Sequence, residues 1–285
     1  MTLGELVRAE LTVPVDPRVA AMAAAIAAKH GAASRAVLFY GSCLREAQLD
    51  GLMLDFYLVV SDYRAAYPKR WLATANKLFP PNVFPAEHNG LAAKYAVLSE
   101  VDFHRLNGPE TRNGSVWARF AQPSRLAWAR DEAARNRAVL AVARAAPTLL
   151  GAAMPVVRLG GDELDIWRQA FALTYSAELR AERKMRSASV VDAEPERYRA
   201  FTAPALAAAT PTRSGWGRRR IEGKALSVVR LAKASATYAG GVEYIVWKIN
   251  RHAGTKIELK RWQRDHPLLA AISLLPRLLR SGAIR

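Results

Sequence analysis

The sequence has little cysteine, few carboxylates for its cations, and no long apolar run. Its single cysteine, Cys43, cannot close an intrachain disulfide, which excludes a disulfide-stapled scaffold and agrees with a reducing compartment. Uncharged stretches such as residues 20–28 and 267–276 fall far short of the ~20 apolar residues that span a bilayer, so no transmembrane helix is expected. Residues 1–8 alternate charged and apolar positions without the basic and apolar regions of a secretory leader, and a cytoplasmic protein is expected. The five histidines, His30, His88, His104, His252 and His266, lack metal-ligand spacing, which argues against zinc.

What is present is a globular composition, 51% apolar and 24% charged over 285 residues, enough for a catalytic domain and a smaller unit. Lys and Arg number 42 against 25 Asp and Glu, a net charge of +17, which favours polyanionic partners: nucleic acid, an anionic membrane surface or a phosphorylated substrate. The excess is concentrated late, with fifteen Lys and Arg against four Asp and Glu between residues 218 and 285. A solvated basic face that keeps the chain soluble is the plain alternative.

Periodicity predicts a helix over residues 19–30, stopped by Gly31, and buried strands over 35–40, 52–60 and 91–98. Residues 67–78 have a helical pattern with Trp71 and Leu78 on the apolar side, ended by Pro80-Pro81. A short element is expected at 116–120. From 131 the pattern becomes helical, over 131–150 and 162–185, while 187–216 carries three prolines with little periodicity and is expected to be a mobile loop. Helices are again expected over 223–238 and 242–252. The last stretch is amphipathic: Leu268, Ile272, Leu275 and Leu279 share one face, with Arg277, Arg280 and Arg285 supplying charge and Pro276 a kink. The expected organisation is therefore α/β over 1–130, a helical unit over 131–215, and a basic helical region over 216–285.

Gly41-Ser42 at the mouth of a strand leaves backbone N–H groups and a hydroxyl to hold phosphate oxygens, because glycine lets the chain turn close against a ligand. Asp55, thirteen residues after Ser42 in an otherwise apolar strand, can hold Mg²⁺ against the same phosphates, since magnesium takes few protein ligands and completes its shell from triphosphate and water. Such a pair suits in-line nucleotidyl transfer, although Gly-Ser is common and a lone strand Asp has other uses. Lys94 either neutralises a phosphate or faces solvent from its strand. Arg180 and Arg183, one turn apart, form either a phosphate clamp or a solvated face. Cys43 is expected to pack. Trp216, Trp247 and Trp262, interleaved with cations, suit either a lipid headgroup interface or the core.

The wider text, Phe39-Tyr40-Gly41-Ser42, then Met53-Leu54-Asp55-Phe56 running into Val59-Val60-Ser61-Asp62, resembles the mitochondrial-type phosphatidate cytidylyltransferases, the translocator assembly and maintenance family. Lys94-Tyr95-Ala96-Val97 looks like that family's Lys-Tyr-Gly-Val strand, and Leu173-Thr174-Tyr175-Ser176-Ala177-Glu178-Leu179-Arg180 is similar to its Ser-Tyr-Ser-Gly-Asp-Phe-Arg helix; the matches are collinear over roughly residues 36–182. The resemblance implies a nucleotidyltransferase palm domain, a winged-helix-like helical domain and a C-terminal membrane-associating amphipathic helix. It also implies transfer of CMP from CTP to phosphatidate with Mg²⁺, giving CDP-diacylglycerol and pyrophosphate, on the inner face of a membrane. Gly41, Ser42, Lys94 and Arg180 would bind phosphate and Asp55 the metal. The superfamily's Asp-x-Asp is broken here by Met53, so a second ligand must come from elsewhere: Asp50, Asp62 and Asp102 are candidates, with Asp102 following the third strand as in the family. Asp62 as a turn residue and Asp102 as a helix-start carboxylate are the structural alternatives.

Two other functions stand beside this one. The same chemistry could serve a different lipid phosphate. Alternatively, the +17 charge and the missing acid at Met53 suit a nucleic-acid-binding protein on a degenerate nucleotidyltransferase scaffold, although nucleic acid gives no reason for the apolar face at 268–279. An inactive interaction module is a third, blander possibility.

Overall fold

The computed structural model describes residues 1–45, 49–157, 161–177, 190–212 and 215–237, together with Arg261. Its centre is a five-stranded mixed sheet. Strands β1 (Ser34–Tyr40), β2 (Met53–Val60), β3 (Asn82–His88), β4 (Leu91–Ser99) and β5 (Ser124–Ala129) lie in the order β3-β4-β2-β1-β5. β1 runs antiparallel to both β2 and β5, β2 runs parallel to β4, and β3 runs antiparallel to β4. The chain is thus mixed α/β. The three expected strands are present, and two edge strands, β3 and β5, join them.

Strand alternation gives the sheet two apolar faces. Val37, Phe39, Leu54, Phe56 and Leu58 point to one side, where they pack with Met22 and Ile26 of α2 (Pro17–Lys29), Tyr63 of α3 (Tyr63–Ala66) and Ala73 of α4 (Arg70–Leu78). Helix α2 starts where Asp16 accepts the Arg18 N–H, with Pro17 in the first turn, a position that needs no backbone donor. Leu38, Tyr57, Val59, Ala96 and Leu98 face the other side. There they meet α1 (Leu3–Thr12), α5 (Glu100–Leu106), α6 (Trp117–Phe120), α7 (Glu132–Ala143), α8 (Ala145–Ala153), α9 (Leu164–Ala177) and α10 (Pro195–Ala207). One hydrophobic cluster therefore joins the sheet to the helices after residue 131, and it includes the fully buried Trp117, Trp167, Phe171 and Tyr198.

Residues 195–207, expected within a mobile loop, instead form helix α10. Pro195 sits at the helix start, and Tyr198, Phe201 and Ala205 recur at helical spacing and are buried. The expected helix over 131–150 is two helices, α7 and α8, meeting at Arg144. Helix α11 (Trp216–Thr237) follows, with the Trp216 indole N–H donating to the Ala152 carbonyl at 2.9 Å, so Trp216 belongs to the core and not to a lipid interface. The expected helix 242–252, the amphipathic stripe at 268–279, Trp247 and Trp262 lie outside the described residues. Among the described residues no single helix is long and apolar enough to cross a membrane.

Candidate active site

β1 ends at Tyr40, and the chain turns away at Gly41 with φ +96°, a conformation glycine adopts at little cost. A short 3₁₀ turn, Ser42–Arg45, follows, with Ser42 exposed at its start. The antiparallel register sets Tyr40 opposite Asp55 of β2, and the parallel register sets Asp55 beside Lys94 of β4. Gly41, Ser42, Asp55 and Lys94 are thereby brought to one end of the sheet, although 39 residues separate Asp55 from Lys94. A Cβ on Gly41 would lie 3.3 Å from Asp55 Oδ2, so the glycine admits the carboxylate.

Asp55 Oδ1 lies 2.9 Å from Lys94 Nζ, and both side chains are about three-quarters buried. The contact is close but not aligned as a hydrogen bond, and Oδ1 is buried without a hydrogen-bond partner.

Beside this pair is a cavity of about 170 Å³, walled by Tyr40, Phe56, Tyr57 and Ala96 of the sheet, by Pro81 and Val83, and by Ser115. Its cations are Lys94, Arg119 of α6, and Arg230 and Lys233 of α11. The Arg230 guanidinium is fixed, with Nε donating to the Pro80 carbonyl and Nη1 to Ser115 Oγ, each at 2.8 Å. Lys233 Nζ donates to the Phe79 carbonyl, and Arg119 to the Ser115 carbonyl. Burial, reinforced by the charge of Arg230, lowers the Lys233 ammonium from 10.5 to about 7. The Tyr40 phenol is raised well above its ordinary value, chiefly by burial and then by the charge of Asp55, so it stays a neutral hydroxyl. The arrangement suits an anion: four cations converge on one small cavity, with a single carboxylate at its edge.

The other predicted ligands are placed elsewhere. β2 runs away from the site, and Asp62 follows its far end, about 16 Å beyond Asp55 at the rise of an extended strand. There it caps α3, accepting the Arg64 and Ala65 N–H groups. Asp102 also follows the far end, since Ser99 of β4 pairs with Val60; it accepts the Tyr63 hydroxyl at 2.6 Å and pairs with Arg105 at 2.7 Å. Neither can share an ion with Asp55. Asp50 pairs with Arg18 at 3.0 Å, exposed ahead of β2. Arg180 lies outside the described residues.

Among the described residues, no three His, Cys, Asp or Glu side chains gather as a metal cage. The donor set fits only an ion that brings its own phosphate and water ligands, held by Asp55 in exchange for its ion pair with Lys94. Sequence reasoning missed Arg119, Arg230 and Lys233. They come from two helices, and no short motif links them. Compared with protein-family models and with curated proteins, the chain matches none.

Proposed function

We propose that the protein is a nucleotidyltransferase of the palm type that transfers CMP from CTP to a lipid phosphate, with phosphatidate as the acceptor class and CDP-diacylglycerol and pyrophosphate as products. The observation that carries this reading is the placement of Asp55, with Gly41 against its carboxylate, beside Lys94, which lines a cavity holding three further cations. The sheet order and the Gly-Ser turn before a strand bearing one carboxylate support the palm assignment, and the resemblance to the cytidylyltransferases supplies the nucleotide and the lipid. The winged-helix-like reading of the helices after residue 131 belongs to the same proposal.

In this reading an acceptor phosphate oxygen attacks the α-phosphorus of CTP, a new P–O bond forms, and the bond to the bridging oxygen of the β-phosphate breaks to release pyrophosphate. The nucleophile is already anionic near neutral pH, so alignment and charge carry the catalysis without a strong general base. Gly41 and Ser42 hold the triphosphate at the end of β1. Lys94 moves from Asp55 to a phosphate oxygen when the nucleotide arrives. Arg119, Arg230 and Lys233 hold the remaining phosphate charge within the cavity. Magnesium, when bound with the nucleotide at Asp55, supplies positive charge that offsets the charge developing on the leaving pyrophosphate.

The test is pyrophosphate release from CTP with Mg²⁺ and a panel of lipid phosphates. Release that requires both CTP and one member of the panel supports the reading and identifies the acceptor. No release with any acceptor removes it. Tight, steeply salt-dependent binding of RNA without pyrophosphate release would favour the nucleic-acid alternative that the +17 charge motivates.

A further inference from the structure

Helix α4 packs with its expected apolar side outward. Trp71 is 49% exposed and Leu78 64% exposed, and Phe79 at the C-cap is 40% exposed, whereas Asn76 is completely buried. The Asn76 amide N–H₂ donates to the Tyr67 hydroxyl at 3.2 Å and to the Val97 carbonyl at 2.9 Å, and its oxygen accepts the Asn82 N–H. The helix is therefore anchored by Ala73, by the half-buried Leu72 and by a satisfied polar side chain, while Trp71 and Leu78 are left to water.

Trp71 and Leu78, seven residues apart, lie within about 20° of each other on the helix surface, and Phe79 extends the patch past the last turn. Other exposed apolar residues, such as Val101 and Leu140, lie on other helices. Along this segment of the chain the charge has one sign. Between Asp62 and Glu87 the chain carries Arg64, Lys69, Arg70 and Lys77 and no carboxylate, and all four cations are exposed. The patch also ends at the cation-lined cavity: the carbonyls of Phe79 and Pro80 hold Lys233 and Arg230, and Pro81 is part of the cavity wall.

We propose that α4 and its C-cap form a docking face for an anionic lipid surface. Trp71, Leu78 and Phe79 enter the interfacial zone, and Lys69, Arg70 and Lys77 lie among the phosphate headgroups. An aromatic and aliphatic stripe on a segment that carries four exposed cations and no carboxylate complements such a surface in both polarity and charge. Indole sits at headgroup depth, and lysine and arginine reach past the apolar zone to phosphate. A bilayer at this face would bring lipid phosphates to the rim of the cavity. The inference does not depend on the reaction proposed above, since it concerns lipid binding without nucleotide.

The test uses the full chain and vesicles of phosphatidylcholine with or without about one-third phosphatidylglycerol. The wild-type protein should co-sediment with the anionic vesicles and not with the neutral ones. Trp71→Ser with Leu78→Ser should lower the bound fraction about fivefold or more at an unchanged melting temperature. Lys69→Gln, Arg70→Gln and Lys77→Gln together should do the same and weaken the salt dependence. As a second reading, Thr74→Cys, between Trp71 and Leu78 on the exposed face, would carry an environment-sensitive dye, the buried Cys43 staying unlabelled; its emission should shift to the blue on anionic vesicles. The proposal is overturned if the wild type leaves these vesicles in solution, if the folded serine variant binds as the wild type does, or if the dye does not shift. A shift that grows with protein concentration in the absence of lipid would assign the face to a second copy of the chain, and would also overturn it.

Discussion

Asp55 and Lys94 stand side by side on parallel strands, their charged ends 2.9 Å apart at the edge of a cavity that holds three more cations. The pair balances the carboxylate while leaving one of its buried oxygens without an aligned donor. Asp55→Asn keeps the shape and removes the charge, so the fold should persist while transfer falls at least ~100-fold. Lys94→Met should weaken nucleotide binding and turnover together. Circular dichroism beside steady-state kinetics checks both, and an Asp55→Asn enzyme with near wild-type turnover would remove Asp55 from the site.

Gly41 acts by leaving room. Its φ of +96° is unfavourable for a side chain, and a Cβ would press on Asp55 Oδ2 at 3.3 Å. Gly41→Ala should cost about 1–3 kcal/mol of stability and, by displacing the carboxylate, lower kcat about tenfold or more. A thermal melt with a kcat measurement separates the two effects; unchanged kcat would show that the carboxylate position does not matter.

Lys233 gives the cavity a pH dependence. The folded protein releases this proton near pH 7 and the unfolded chain holds it to about 10.5, so between these values the unfolded state binds more protons and this group makes stability rise with pH. Anion binding has the opposite sign, because it favours the charged ammonium. Affinity for sulfate, whose own charge is constant over about pH 6–9, should fall as pH rises through 7, and Lys233→Met should flatten that fall. Calorimetric titration at several pH values tests it, and an equally steep fall in the variant would contradict it.

Glu10 of α1 and Arg197 of α10 form a buried bidentate pair, each side chain 10% exposed, with Arg197 Nη1 also donating to the Ala121 carbonyl at 3.0 Å. Removing one partner strands the other charge, so Glu10→Ala should cost about 3–5 kcal/mol. The melting temperature should fall by about 6–20 °C, given roughly 2–4 °C per kcal/mol at this size. The Asp55 site is built from other residues, so turnover of the folded fraction should be unchanged.

The sequence made the apolar strands legible because burial on both faces leaves near-continuous apolar runs, and it marked Gly41, Ser42 and Asp55 because they interrupt that pattern. β3 escaped because Pro85 lies within it, which an edge strand tolerates. The signal that could have found its hairpin is Asn89-Gly90, a pair that supplies two positive φ angles, 49° and 76°. Helix α10 was obscured by its prolines, although Tyr198, Phe201 and Ala205 carried the spacing. Trp71 and Leu78 share one side of α4 as expected, but that side is exposed: pattern alone cannot say whether an apolar stripe faces the core or a surface. The further ligand candidates Asp62 and Asp102 do not join Asp55 for a topological reason, since they follow the far ends of β2 and β4. Arg119, Arg230 and Lys233 became a set only through tertiary packing.

The most direct test of the central claim follows the α-phosphate of CTP. With CTP labelled at that position, Mg²⁺ and a lipid phosphate in mixed micelles, the wild-type protein should move the label into an organic-extractable CDP-lipid with one pyrophosphate released per label transferred, and Asp55→Asn should not. Label that stays in the aqueous phase across the lipid panel, or that moves equally well without the Asp55 carboxylate, would contradict the account.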